Sequence, residues 1–233
     1  MKKKRMVAGC LSVATIFFCG KSFAQLNEYN DTIELGYSAI SPNSDSSDLS
    51  GPARTTPPGV KTTVRNSSTL TLSYTRRIYG PWSAMFLAGL PPTMKFNGSG
   101  TASRLGEVAS ARVWLPAILI RYDWDGLGKI RPYLAAGVNY TWLTKTRMTD
   151  SYNHAFGGIS STSSFGSSVG PVVKVGVDIP FAQRWSIGLS YTHYWIRSMA
   201  TIRTDTPGLG SVERKVSVTG DPDVFALTVG YRF

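Results

Sequence analysis

The chain has 233 residues, 42% of them hydrophobic and only 17% charged, with 25 Lys and Arg against 14 Asp and Glu for a net charge of +11. This length holds one domain or two. Such a base excess would point to nucleic acid or an anionic surface if the folded protein carried all of it, so the placement of the bases decides that question.

Residues 1–24 have the form of a secretory signal peptide. Lys2, Lys3, Lys4 and Arg5 make the basic start, residues 6–20 the apolar stretch, and Ser22-Phe23-Ala24 a small-x-small site that predicts cleavage between Ala24 and Gln25. Fifteen residues fall short of the roughly 20 that a spanning helix needs. Val7-Ala8-Gly9-Cys10 resembles a lipoprotein box, but only Met6 separates it from the basic cluster. Cleavage removes Lys2, Lys3, Lys4, Arg5, Lys21 and no acid, lowering the charge to +6. It also removes Cys10 and Cys19, so no disulfide or thiolate metal site is expected. The remainder, residues 25–233, reads as a single domain.

After Ala24 the longest apolar run is seven residues, Trp114 to Ile120, too short for a transmembrane helix. Period-2 alternation recurs instead, in segments of about ten residues bounded by Gly, Pro, Asn, Asp and Ser, as in strands of a membrane barrel. Residues 31–40 set Ile33, Leu35, Tyr37 and Ala39 against Thr32, Glu34, Gly36 and Ser38. Residues 68–79 set Leu70, Leu72 and Tyr74 against Thr69, Thr71, Ser73 and Thr75. Residues 82–90 are apolar on both faces, which leaves their register ambiguous. Residues 113–124 set Ile118, Ile120, Tyr122 and Trp124 against Ala117, Leu119, Arg121 and Asp123. The same pattern continues through 131–144, 169–179 and 184–196, and ends in 224–233.

Eight strands with small hydroxylic residues on one face and apolar residues on the other predict an all-β, eight-stranded antiparallel transmembrane barrel. Its narrow interior needs small side chains, and closure satisfies the backbone in lipid. Outward aromatics such as Tyr37, Trp124, Trp142 and Trp185 lie near strand ends, where interfacial girdles form. The connections at 76–81, 125–130 and 180–183 are short, and those at 41–67, 91–112, 145–168 and 197–223 are long. The short ones are therefore periplasmic turns and the long ones extracellular loops. The long segments are rich in Gly, Ser, Thr and Pro and are expected to be solvated loops.

The block Arg131-Pro132-Tyr133-Leu134-Ala135-Ala136-Gly137-Val138-Asn139-Tyr140-Thr141 resembles the outer membrane protein W (OmpW) family of Gram-negative bacteria. Leu115-Pro116, Val175-Gly176-Val177-Asp178 and the end from Asp221-Pro222 to Gly230-Tyr231-Arg232-Phe233 agree in order and spacing. The resemblance implies a small barrel in the bacterial outer membrane with an apolar lumen that passes small hydrophobic molecules. The family carries an inward tryptophan on the seventh strand. Thr192 stands near that position here, and either Tyr194 or, with a one-residue register slip, Trp195 could replace it.

Taking strand directions from the loop pattern, Met85, Leu87, Ala117, Leu119, Val172, Tyr194 and Ile196 point into the upper lumen. Glu34, Arg121, Asp123, Lys174, Asp178 and Arg232 point into the lower lumen, where three acids and three bases are expected to pair, because an unpaired buried charge is costly. Such a network plugs the floor. Pro91, Pro92 and Pro116, at the upper ends of the adjacent third and fourth strands, cannot donate ladder hydrogen bonds and suggest a sideways opening to the bilayer. The other reading of these prolines is that they end strands.

The histidines, His154 and His193, have no nucleophile motif around them, and no phosphate loop, HExxH motif or calcium loop occurs. No catalysis, cofactor, metal or nucleic-acid partner is expected. The expected partners are outer-membrane lipids and lipopolysaccharide, small hydrophobic solutes, periplasmic chaperones, and the barrel assembly machinery, for which Tyr231 and Phe233 form the C-terminal signal. The alternative function is a barrel that conducts nothing and serves through its extracellular loops as a receptor or adhesin.

Overall fold

The computed structural model describes residues 30–124 and 128–233; the expected signal peptide and its cleavage site lie outside the described residues. In chain order the strands are β1 (Asp31–Pro42), β2 (Asp45–Ser46), β3 (Val60–Val64), β4 (Ser67–Tyr79), β5 (Trp82–Gly89), β6 (Thr93–Gly100), β7 (Glu107–Trp114), β8 (Ala117–Asp123) and β9 (Arg131–Met148). Helix α1 (Asp150–Ala155) precedes β10 (Ser160–Phe165), β11 (Ser168–Pro180), β12 (Trp185–Tyr194), β13 (Arg197–Thr206), β14 (Gly210–Thr219) and β15 (Pro222–Arg232).

Eight of these close a ring: β1 pairs with β4 and β15, β15 with β12, β12 with β11, β11 with β9, β9 with β8, β8 with β5, and β5 with β4, all antiparallel. Every seam is hydrogen-bonded, as lipid demands. The alternation places Ile33, Leu35, Leu134, Leu189 and Leu227 on the exposed outer face and Ser38, Ser73, Ala135 and Ser190 inside. The ambiguous third strand resolves the same way: Ser83 and Met85 are buried, while Trp82 and Phe86 face out.

Aromatic clusters mark the two membrane boundaries. At the periplasmic end Trp82, Tyr122 and Trp124 are in edge contact, and Trp185 lies 4.9 Å from Tyr231. At the extracellular end Trp114 and Trp142 stack at 5.6 Å with their planes 3° apart, with Tyr140 beside them. From Trp114 to Trp124 the chain advances ten residues. At about 3.3 Å per residue and roughly 40° of tilt, that is about 25 Å of height, the thickness of the apolar band.

The long segments are not the solvated loops that their composition suggested. The strands β3, β6, β7 and the upper half of β9 form one wall rising above the membrane, and β10, β13, β14 and β2 form another. Between them lies a second apolar core of Leu49, Tyr152, Phe156, Ala200, Ile202, Val216 and Val218. Alternate apolar residues inside Ser- and Thr-rich hairpins suffice to order these segments once two hairpins face one another. Arg214, fully buried, ties the turn at 52–56 to the second wall, donating to the Thr55 carbonyl at 2.9 Å, Thr56 Oγ1 at 3.2 Å and Thr204 Oγ1 at 3.1 Å.

Candidate functional site

The lower lumen is closed by side chains. Arg121, on β8, donates through Nε to Asp123 Oδ1 at 2.8 Å, and its Nη2 bridges Asp123 and Asp178 of β11. Its guanidinium lies 3.6 Å from the centroid of the Tyr133 ring. Gly176, directly across from Tyr133 on β11, leaves the space for that ring, since an added Cβ would lie 2.6 Å from it.

The expected pairing of six charges is only half realised. Among the described residues, no salt bridge joins Glu34, Lys174 or Arg232 to a partner. Glu34 instead accepts from the Ser73 hydroxyl, and the Lys174 ammonium donates to Ser190 Oγ at 2.7 Å. Hydroxyls on neighbouring strands reach these two groups, which line the same space without forming an ion pair. Arg232 faces the periplasmic mouth with Arg77 and Arg131, below the plug.

Above the plug the lumen is apolar. Met85, Ala117, Leu119, Val172, Tyr194 and Ile196 are buried in one cluster, with Leu87 packed against it. Thr192 and Tyr194 both point inward, while Trp195 is outward and edge-on to His193 at 4.4 Å. The register therefore puts Tyr194 and not Trp195 in the lumen.

Three spaces adjoin here. The first, about 680 Å³ including its open mouths, has Glu34, Lys174, Thr192 and Tyr194 at its base and reaches Leu72, Leu90, Pro91 and Pro92 at the wall. Leu72 and Leu90 are among the exposed residues of the barrel wall. A second, about 550 Å³, lies above and shares Val113 and Leu115 with the first. The third, about 580 Å³, fills the raised extension and shares Phe96, Phe165 and Val218 with the second. Phe96 and Phe165 stack at 5.6 Å between the upper two. The first space and the periplasmic cleft share no lining residue.

Regular strand pairing is interrupted beside Pro91 and Pro92. The β5–β8 ladder stops at Leu87 and Ala117, and β6–β7 pairing resumes at Thr93 and Arg112. Between them the Val113 N–H donates to the Pro92 carbonyl. On the other side regular β4–β5 pairing runs to Thr71 and Gly89, and beyond it the Leu90 N–H donates to the Leu70 carbonyl at 2.9 Å and Thr69 Oγ1 to the Leu90 carbonyl. The fourth strand, expected to run unbroken from residue 113, is split at Leu115-Pro116 into β7 and β8. Pro116 lies outside the lining of that space and accepts from the Tyr140 N–H.

His193 binds Asp223 Oδ1 through Nδ1 at 2.7 Å, and Asp223 also accepts from the Tyr191 hydroxyl and from Asn43. Ser190 is on the opposite face with Lys174, and the Ser198 hydroxyl donates to the Gly166 carbonyl, so neither is a nucleophile for this histidine. Tyr231 and Phe233 stand on the outer face of the last strand, with Tyr231 accepting from Arg184.

The OmpW family profile matches residues 31–233, all of the barrel and its extension. The chain belongs to the OmpW family. Outer membrane protein W of Salmonella typhimurium is 32% identical over 171 residues, covering 73% of this chain and 75% of that one. The dibenzothiophene metabolism operon protein PahQ of Pseudomonas aeruginosa is 29% identical over 180 residues, covering 76% of each chain. Among solved structures, the outer membrane protein OprG of Pseudomonas aeruginosa superposes with a TM-score of 0.77 at 25% identity, covering 88% of this chain and 96% of that one. As an OmpW-family barrel, the protein resides in the bacterial outer membrane. Sequence reasoning placed the lumen residues by face, but it missed Phe96, Phe165, Leu115 and Val218. The alternation through residues 60–64 and 94–96 was the available signal.

Proposed function

We propose that the protein carries small apolar molecules from the cell exterior into the outer membrane, receiving them in the raised extension and releasing them sideways at Pro91 and Pro92. The supporting observation is the run of three adjoining spaces, the upper two apolar and the lowest reaching Leu72, Leu90, Pro91 and Pro92, above a charged plug. Apolar surface leaving water gains about 25 cal/mol per Å², so the upper two spaces are favourable stations for an uncharged solute. Crossing the floor would instead require breaking the contacts of Arg121 with two carboxylates, a cost of several kcal/mol for buried charges. The bilayer route is the lower barrier. An aromatic hydrocarbon class suits the Phe96, Phe165 and Tyr194 lining, and one relative takes its name from dibenzothiophene metabolism.

The test is uptake of a fluorescent polycyclic aromatic into liposomes containing the purified barrel. Leu115→Trp, which fills the passage between the lower two spaces, is expected to lower uptake at least fivefold. Replacing Pro91 and Pro92 by Thr restores two backbone donors to the wall and is expected to lower it similarly. Uptake unchanged in the Pro91/Pro92 variant would remove the lateral exit, and uptake no faster than in protein-free vesicles would favour a non-conducting receptor barrel.

A further inference from the structure

We propose that the outer face of the wall made by β3, β6, β7 and β9 binds the phosphate groups of outer-leaflet glycolipid, the bisphosphorylated lipid A class. The stacked Trp114 and Trp142 fix the height of the extracellular membrane boundary on this wall. One cross-strand row higher, about 7 Å for two residues, Arg112 stands between Thr93 and Thr144. In the next row Arg65, Lys95, Ser110 and Arg147 lie side by side across all four strands. With strands about 4.8 Å apart, that row is roughly 14 Å wide.

All four bases are exposed, while Val64, Met94, Phe96, Ala109, Ala111 and Val113 of the same strands turn inward. The placement is therefore a face and not a scatter. Lys95 pairs with Glu107 at 2.8 Å. Among the described residues, Arg65, Arg112 and Arg147 have no carboxylate within salt-bridge distance. On the opposite wall Arg203 and Lys215 share Glu213, at 3.2 Å and 3.3 Å.

Headgroup phosphates lie just outside the aromatic girdle. Guanidinium groups match phosphate oxygens with paired donors. A band of exposed bases within the first rows above the girdle fits the headgroup layer better than it fits a protein partner of arbitrary shape. The bound lipid would stand above Pro92 and Leu115, beside the proposed exit, yet the surface stands on its own geometry whether or not the lumen conducts.

The experiment folds the chain into phosphatidylcholine vesicles containing bisphosphorylated lipid A, extracts it gently, and counts retained lipid by native mass spectrometry. Parallel arms contain dephosphorylated lipid A or phosphatidylglycerol. The variant R65Q/R112Q/R147Q is expected to retain at least tenfold less lipid A, R65K/R112K/R147K at least half as much as the parent, and the opposite-wall variant R203Q/K215Q as much as the parent. Dephosphorylated lipid should bind weakly and equally to all. Undiminished retention by the first variant overturns the proposal, as does equal loss in the opposite-wall variant. Parent retention of phosphatidylglycerol matching that of lipid A would overturn the glycolipid assignment. If the triple variant fails to fold, R112Q and R147Q alone are each expected to lower retention about threefold, and no change in both overturns the proposal.

Discussion

At the periplasmic end of the lumen Arg121 lies between two carboxylates with a tyrosine ring against it, whereas at the extracellular end the same strands continue into a space walled by Phe96, Phe165 and Val218. Both ends are filled by inward residues of alternating strands. They differ in how rigidly those residues are held. A buried ion pair with hydrogen bonds in two directions has one good arrangement, while apolar side chains can shift to admit a guest without leaving a polar group unpaired. The difference teaches where a solute can pass.

The largest test of that contrast is Arg121→Gln. It leaves Asp123 and Asp178 buried without their cation, and breaking a buried pair in this way costs about 3–5 kcal/mol. The urea midpoint for barrel unfolding in vesicles should fall accordingly, and small polar solutes should begin to leak through the floor. A stable, tight barrel in this variant would show that the plug is not what closes the lumen. Phe165→Ala probes the upper end; beyond the apolar area it removes, the lost ring pair is worth about 0.5–1.5 kcal/mol. Uptake of bulky aromatics should rise, because the stack between the upper two spaces is removed; a fall would mean that the rings hold solute instead of limiting it.

The smallest effect lies on the surface of the extension. The hydrogen bond from Arg203, with help from Lys215, holds the Glu213 carboxyl below its usual range. A lowered carboxylate value means stability that is present above the unfolded value of about 4.3 and is lost as pH falls through the folded one. Amide protection in the β13–β14 hairpin, taken relative to the free-peptide exchange rate at each pH, should therefore fall slightly as Glu213 is protonated, and Glu213→Gln should remove that change. The lumen plug should not respond to this substitution.

The membrane-spanning part of the fold was legible in the sequence because lipid imposes a strict rule: alternate residues face hydrocarbon, so Ile33, Leu35 and Tyr37 announce their face without any knowledge of neighbours. The upper lumen followed from the same alternation, as did the inward placement of Glu34, Arg121 and Asp178. The raised walls were not legible. Their outer faces meet water, so Lys61, Thr63 and Arg65 between Val60, Thr62 and Val64 look like a polar loop until a partner hairpin supplies the other half of the core.

Pairing was likewise beyond the sequence. Opposite charges on the same face pair only if strand order and register bring the charged atoms within reach of one another. That register joined Arg121 to Asp178 and left Glu34 to Ser73 and Lys174 to Ser190. By itself the sequence determined the class of barrel, the orientation of its strands, the faces of the clearly alternating strands, and the family, because these depend on local alternation and on motif spacing. Only the tertiary structure decided the register of residues 82–90, the choice of Tyr194 over Trp195, which charges meet and that the long segments continue the barrel, because each depends on which strand lies beside which.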